Sequence, residues 1–305
     1  MTNFKTARFA DPTVDFAFKR IFGTEQYKAA TVGLLNSLIT DHHIVDVEYP
    51  NVELVPDTEK SRKAVIDIIC TDDTGSQFIV EMQRAPQTYF RERMVFYASK
   101  LISRQEDFKG DWDFHLAPLY VIAFINFSFG EEAKEMNADG RFVFKYVARE
   151  EVSGRKMPGS TEYYFLQIDG FNKKPEELVD KTEKWLYLLR SSKELKEIPE
   201  AFGEDESFET YFSASERASF TAEEEARYLD DMVTQRDIDN SRRQAEARAH
   251  QEGLEEGRVE GRQAGLEEGA LQAKLETARK LKAEGLDVEM IIRCTGLSKN
   301  QVEVL

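Results

Sequence analysis

Cysteine is almost missing from this chain of 305 residues, with only Cys70 and Cys294, far apart. That excludes a disulfide framework and a cysteine-built zinc site, and both side chains are read as reduced, structural thiols. Histidine is scarce as well: His42, His43 and His115 have no regular spacing to one another or to a nucleophile, so no role is assigned to them. No stretch reaches the roughly eighteen consecutive apolar residues of a membrane span, and Met1 to Thr6 lack the apolar core of a signal peptide. A cytoplasmic protein without membrane contact is expected. Walker, Rossmann and Ser-His-Asp patterns are absent too. With eight prolines, 41% hydrophobic and 32% charged residues, the composition is that of a globular chain.

Positive charge is also in deficit, 41 Lys and Arg against 57 Asp and Glu. This argues against non-specific adhesion to nucleic acid, which draws its affinity from cation contacts to phosphate. The deficit is uneven. Residues 1 to 130 carry a net charge of −4, residues 131 to 240 carry −11, and the remainder −1. The acid excess therefore lies mostly outside the segment that carries the chemistry described next.

Periodicity orders the chain. Asp11-Pro12 has the form of a helix N-cap followed by proline, with Val14, Phe18 and Ile21 at helical spacing up to Gly23. A second helical pattern runs from about Glu25 to Thr40. Three strand-like segments follow, Ile44 to Leu54, Lys63 to Thr71 and Gln77 to Arg84, the last two separated by turn residues Asp72 to Ser76. Tyr89 to Asp107 is helical through Phe90, Met94, Tyr97 and Leu101, and Leu119 to Phe129 is an apolar run of the fully buried strand type. Two more strand-like segments, Arg141 to Ala148 and Glu162 to Ile168, precede a helical stretch from Pro175 that includes Trp185 and Leu189.

The organisation expected is an α/β domain over residues 1–192, an acidic connector or helical subdomain over 193–229, and a charged helical tail over 230–305. In that tail Gly253, Gly257, Gly261, Gly265 and Gly269 recur every fourth residue. Each costs a helix about 1 kcal/mol relative to alanine, so a compensating close approach of helices is sought. The residues between them are mostly Glu, Arg and Gln, which excludes a membrane dimer and leaves a soluble homo-oligomer or a solvated tail. Leu286 to Leu305, with Thr295-Gly296-Leu297-Ser298 between two short helical patterns, looks like a helix-turn-helix fragment.

Strand alternation brings the chemistry together. Lys63, Val65, Asp67 and Ile69 share one side of their strand, and Gln77, Ile79, Glu81 and Gln83 share one side of the next. With a three-residue loop of Asp73 to Gly75, Asp67 faces Glu81. Like charges directly opposite in a sheet are destabilising unless a cation lies between them, and hard oxygen ligands suit Mg²⁺ or Mn²⁺. Taken without its surroundings, the same pair reads as a strand-end acid and an acid at an exposed edge.

The wider order is Asp11 to Gly23 with Asp15, then Ile66-Asp67, Glu81-Met82-Gln83, and Arg93 through Tyr97 to Leu101. Together these segments resemble the PD-(D/E)XK nuclease superfamily, in particular its recombination-promoting nuclease (Rpn) or transposase family. The C-terminal Glu-Gly-Arg repeat looks like that family's tail. The resemblance implies a restriction-endonuclease-like mixed sheet flanked by helices, with a C-terminal helical extension. It implies a Mg²⁺-dependent DNA endonuclease associated with recombination or mobile DNA, with Mn²⁺ or Ca²⁺ as other ions of the same class.

By the same resemblance Asp67, Glu81, Gln83 and Asp15 are the candidate catalytic residues, and Asp67, Glu81 and the Met82 carbonyl the metal ligands. Asp15 either holds a metal-bound water or a second ion, or forms an Asp15–Lys19 helix pair. Gln83 stands where the superfamily has lysine, and a neutral amide cannot supply positive charge to a transition state. Lys63, on the same strand face as Asp67, is a candidate source of that charge or else a solvated strand-end lysine, and Arg91 and Arg93, on the helix after the site, are candidates for phosphate contact or else ordinary exposed helix arginines. The competing expectation is a weakly active or inactive nuclease fold serving as an oligomeric interaction module.

Overall fold

The computed structural model describes residues 7–50, 66–105, 114–127 and 140–305. Within these residues, β-branched and aromatic alternation assembles one six-stranded mixed sheet. Its strands are β1 (Val47–Glu48), β2 (Ile68–Asp72), β3 (Gln77–Gln83), β4 (Leu119–Ile125), β5 (Val143–Val147) and β6 (Glu162–Gln167). The spatial order is β1-β2-β3-β4-β6-β5. β3, β4 and β6 are parallel neighbours, while β1, β2 and β5 join antiparallel at the edges.

The β2–β3 hairpin turns on Asp73-Thr74-Gly75. Gly75 N–H donates to the Asp72 carbonyl at 3.0 Å, Asp72 N–H donates to the Ser76 carbonyl at 2.9 Å, and Gly75 takes φ +85°. That left-handed conformation is nearly free for glycine and closes a three-residue loop. The loop sets the register, with Thr71 opposite Gln77 and Ile68 opposite Val80.

Helices cover both faces of the sheet. On one side α1 (Asp15–Phe22), α2 (Lys28–Leu38), α4 (Lys181–Ser191) and α5 (Glu206–Ser215) pack Phe18, Phe22, Leu34, Trp185 and Tyr211 against Phe78, Val80, Ile122 and Phe124. On the other, α3 (Phe90–Arg104), the crossover between parallel β3 and β4, packs Phe90, Met94, Tyr97 and Leu101 against Ile79, Val121 and Ala123. Every residue of β4 is buried because both its faces are covered. The architecture is the α/β mixed sheet with flanking helices expected from the sequence.

Three expectations differ in detail. Among the described residues of the segment Ile44 to Leu54, Val47–Glu48 form a strand, and residues 51–54, like Lys63, lie outside the described residues. Asp11 is not the N-cap of α1, which starts at Asp15. It is buried, accepts from Thr13 N–H at 3.0 Å and pairs with Lys193 at 2.9 Å. The first turn of α1 is satisfied from 215 residues away, Phe16 N–H donating to Asp231 Oδ2 at 3.0 Å. Finally, the first core does not stop near residue 192. Phe202, Phe208, Tyr211 and Phe212 are buried in it, with Phe208 packed 4.7 Å from Trp185 between ring centroids. Large aromatic side chains drive this segment inward although its periodicity is weak.

The chain divides into two compact units, Met1–Arg236 and Asp237–Leu305. Helix α6 (Ala222–Ala283) contributes to both. The second unit has its own small core, in which Ala278 of α6 meets Ile291 of α7 (Val288–Thr295), Leu297, and Val302 of α8 (Lys299–Glu303). Gly296, at φ +69°, ends α7, and Ser298 caps α8. Among the described residues no helix is long and apolar enough to cross a membrane.

Candidate active site

Register decides which acids meet. Asp67 lies one residue before β2, and continuation of the Ile68–Val80 pairing places it opposite Glu81. Each carboxylate is anchored on the other strand's main chain: Asp67 N–H donates to Glu81 Oε2, and Met82 N–H donates to Asp67 Oδ2, both at 2.9 Å. One oxygen of each group is thereby fixed. The others, Asp67 Oδ1 and Glu81 Oε1, turn toward cations. Lys19 Nζ lies 3.8 Å from Asp67 Oδ1, and Arg93 Nη2 lies 3.4 Å from Glu81 Oε1.

The electrostatics of the pair are unfavourable. Glu81 is only 4% exposed. Burial pushes its carboxyl up, the charge of Asp67 adds to this, and the group rises to about 8, well above the usual carboxylate range. Burial raises Asp67 as well. A site that disfavours its own two negative charges suits a hard divalent cation, since such an ion restores the ionised forms of both. The donor set therefore fits Mg²⁺ or Mn²⁺ in kind. Among the described residues no group of three or more His, Cys, Asp or Glu side chains converges, so the side-chain donors here are these two carboxylates.

Gln83 completes the strand face beside Glu81. Its amide is committed within the protein: Oε1 accepts from Arg93 Nη2 at 2.6 Å, and Nε2 donates to the Ala85 carbonyl at 2.8 Å. Arg93 stands in the first turn of α3, its guanidinium 4.9 Å from the centroid of Phe90 and 5.7 Å from that of Tyr97. It also bonds Gln87 Oε1. The residue before α3, Tyr89, holds φ +62°, a left-handed conformation that costs a non-glycine residue about 1–2 kcal/mol. That turn sets the direction in which α3 leaves the strand.

Asp15 is more remote. Its side chain is 57% exposed and pairs with Lys19 at 2.7 Å, and Lys19 in turn approaches Asp67. The helix pair and the acidic partner of the site are thus one chain of contacts. A cleft of about 540 Å³ opens beside it, lined by Asp15, Lys19, Arg20, Glu224 and Asp231 among others but by neither Asp67 nor Glu81.

Asp67, Glu81, Met82 and Gln83 come together, and Asp15 reaches them only through Lys19. Sequence reasoning missed Lys19 as a neighbour of Asp67 and the bond from Arg93 to Gln83. A signal for the second was present, since Arg93 stands between Phe90 and Tyr97 on the buried stripe of its helix, where a side chain must meet the sheet.

No curated protein and no solved structure matches the chain. The family model described as PD-(D/E)XK nuclease family transposase matches residues 12–245, a span that includes α1, the Asp67–Glu81 pair, Gln83 and Arg93. The chain belongs to the PD-(D/E)XK nuclease family of transposases.

Proposed function

We propose that the protein is a Mg²⁺-dependent DNA endonuclease acting in recombination or on mobile DNA. The observation that carries this reading is the Asp67–Glu81 pair. A buried carboxylate, Glu81, and a half-buried one, Asp67, face each other across a hairpin, each with one oxygen locked on the opposite main chain and one turned toward a cation. Asp67, Glu81 and the Met82 carbonyl would hold the ion. When bound, it polarises a phosphate and makes an attacking water more acidic. The chain's own part is to fix the ligands before any ion arrives, through two main-chain hydrogen bonds that leave them little freedom to reorganise. Asp15 positions Lys19 beside Asp67.

Nicking of supercoiled plasmid by the purified chain, with and without Mg²⁺, tests the reading. Cleavage that needs Mg²⁺ and disappears in Glu81→Ala is expected. Equal cleavage by wild type and Glu81→Ala would sink it.

A second reading, an inactive nuclease fold assembling copies of itself through its tail, is supported by the glycine repeat. Gly253, Gly257, Gly261, Gly265 and Gly269 lie within α6, and a Cβ added at any of them would meet nothing within 4 Å. A helix that accepts five such weak residues makes sense if a second helix approaches there. The two readings are compatible, and only loss of Mg²⁺ binding at Asp67 and Glu81 would favour the second alone.

A further inference from the structure

We infer that Arg93, held by Gln83, supplies the positive charge of this active site, and that Gln83 is a positioning residue that makes no contact with substrate. The inference rests on the two-carboxylate nuclease reading and assigns a role that the strand motif leaves vacant.

The strand itself carries no cation near the acids. Gln83 is 8% exposed, and its carbonyl oxygen is spent on Arg93 while its amide nitrogen donates to Ala85. An amide so engaged cannot swing outward to a phosphate without breaking both bonds. What it does is pin a guanidinium beside Glu81. Arg93 Nη2 bonds Gln83 at 2.6 Å and lies 3.4 Å from Glu81 Oε1, the carboxylate oxygen not used by the main chain.

Arg93 is placed by aromatic contacts as well as by hydrogen bonds, Nη1 bonding Gln87 and Nη2 bonding Gln83. Its side chain is 27% exposed, its ring contacts are with Phe90 and Tyr97, and its Nε is buried with no hydrogen-bond partner. Leaving a buried donor unpaired costs about 1–3 kcal/mol, so the position is not chosen for the arginine's own comfort. A guanidinium keeps its charge at every working pH, so its positive potential acts on a phosphate even while Nη1 and Nη2 are engaged with Gln87 and Gln83.

The arrangement also explains the glutamine. A lysine at position 83 would bring its ammonium against the guanidinium already bonded there, two like charges in a nearly closed site. Glutamate would neutralise it. Among residues of that length, glutamine alone offers an uncharged acceptor that leaves the full positive charge available.

Lys19 is the rival source. It is bound to Asp15 at 2.7 Å and approaches Asp67 from α1, so part of its charge is already matched. Among the described residues Arg93 has no carboxylate at ion-pair distance other than Glu81, and an ion on that carboxylate would compete with it.

The test compares Arg93→Gln, Gln83→Glu, Lys19→Gln and the relocation pair Gln83→Lys with Arg93→Gln, against wild type and Glu81→Ala. It reads Mn²⁺ binding by calorimetry and Mg²⁺-dependent plasmid nicking, with thermal unfolding confirming that each variant is folded. Arg93→Gln is expected to bind Mn²⁺ about tenfold more tightly, because a competing cation is gone. Its nicking is expected to fall ~100-fold, as when a single charge-stabilising donor is removed from an active site. Opposite signs are the signature, since a merely structural defect would weaken both. Gln83→Glu should lose nicking while keeping its bond to Arg93, and the relocation pair should recover at least tenfold over Arg93→Gln.

Normal nicking in Arg93→Gln beside an inactive Glu81→Ala overturns this inference alone and passes the role to Lys19, which Lys19→Gln then reports. If wild type shows neither nicking nor Glu81-dependent Mn²⁺ binding, the nuclease reading falls and this inference with it.

Discussion

Asp67 and Glu81 hold each other through their backbones: the amide of Asp67 donates to the Glu81 carboxylate, and the Asp67 carboxylate accepts from the amide that follows Glu81. Two groups that repel as charges are thus fixed face to face by hydrogen bonds that each needs. The arrangement brings two like charges together, and a cation between them would relieve their repulsion.

Removing the repulsion should therefore separate stability from activity. Glu81→Gln keeps an oxygen to accept from Asp67 N–H but carries no charge. Urea unfolding is expected to show it equal to wild type or more stable by about 1 kcal/mol, while plasmid nicking disappears. A loss of several kcal/mol would mean that the Glu81 charge is stabilising.

The same pair fixes a pH dependence. Burial and the Asp67 charge raise Glu81 in the folded chain to about 8 from an ordinary value of 4.5. Between those values the unfolded chain has released the proton and the folded chain retains it, so stability falls as pH rises through this window. Each unit of unmatched titration is worth up to about 1.4 kcal/mol. Thermal unfolding from pH 5 to pH 9 should show the decline in EDTA and a smaller one in Glu81→Gln. Added Mg²⁺ should stabilise more at pH 8 than at pH 6, and an equal effect at both would contradict the assignment.

Helix α1 is held in place by α6. Tyr228 Oη accepts from the buried Asp11 N–H at 2.8 Å, and Asp231 accepts from Phe16 N–H at 3.0 Å. Tyr228→Phe strands a buried amide and is expected to cost about 1–3 kcal/mol. Asp231→Ala removes a cap, at about 0.5–2 kcal/mol. Because α1 carries Lys19 and Asp15, both changes should also weaken nicking, which assays at matched folded fraction will show.

Gly33 in α2 faces α5 so closely that an added Cβ would overlap Ser207 and touch Trp185 Cζ2 at 3.4 Å. An exposed helical glycine gains about 1 kcal/mol on conversion to alanine. Here Gly33→Ala should lose about 1–3 kcal/mol by overpacking, and Ser207→Gly in the same chain should return part of it.

In the tail the same substitution should do the reverse. Alanine at Gly257, Gly261 and Gly265 meets nothing within the chain and strengthens an isolated helix. If copies pair through that stripe, light scattering will show the triple variant with a smaller assembled mass than wild type. An unchanged mass excludes the stripe as the contact.

How much of this was legible in the sequence follows from which forces are local. Alternation along a strand is a backbone property with a period of two, and a three-residue loop ending in a left-handed glycine sets the register. The facing of Asp67 and Glu81, and Gln83 on the same side, could therefore be read without any coordinates. The stripe Phe90-Met94-Tyr97-Leu101 likewise announced α3 as a helix with one buried face.

Other features depended on packing between elements distant in sequence. The cap of α1 comes from Asp231 and the partner of Asp11 from Lys193, since an unsatisfied amide or a buried charge takes whatever group the fold brings near. The aromatic segment after residue 192 joined the core because burial depends on three-dimensional proximity, which a weak periodicity does not reveal. The sequence alone determined that two acids and a glutamine share one face of the hairpin. Only the tertiary structure decided that Arg93 and Lys19 would meet them, because layer packing, and no sequence period, sets which helix side chain reaches a given strand.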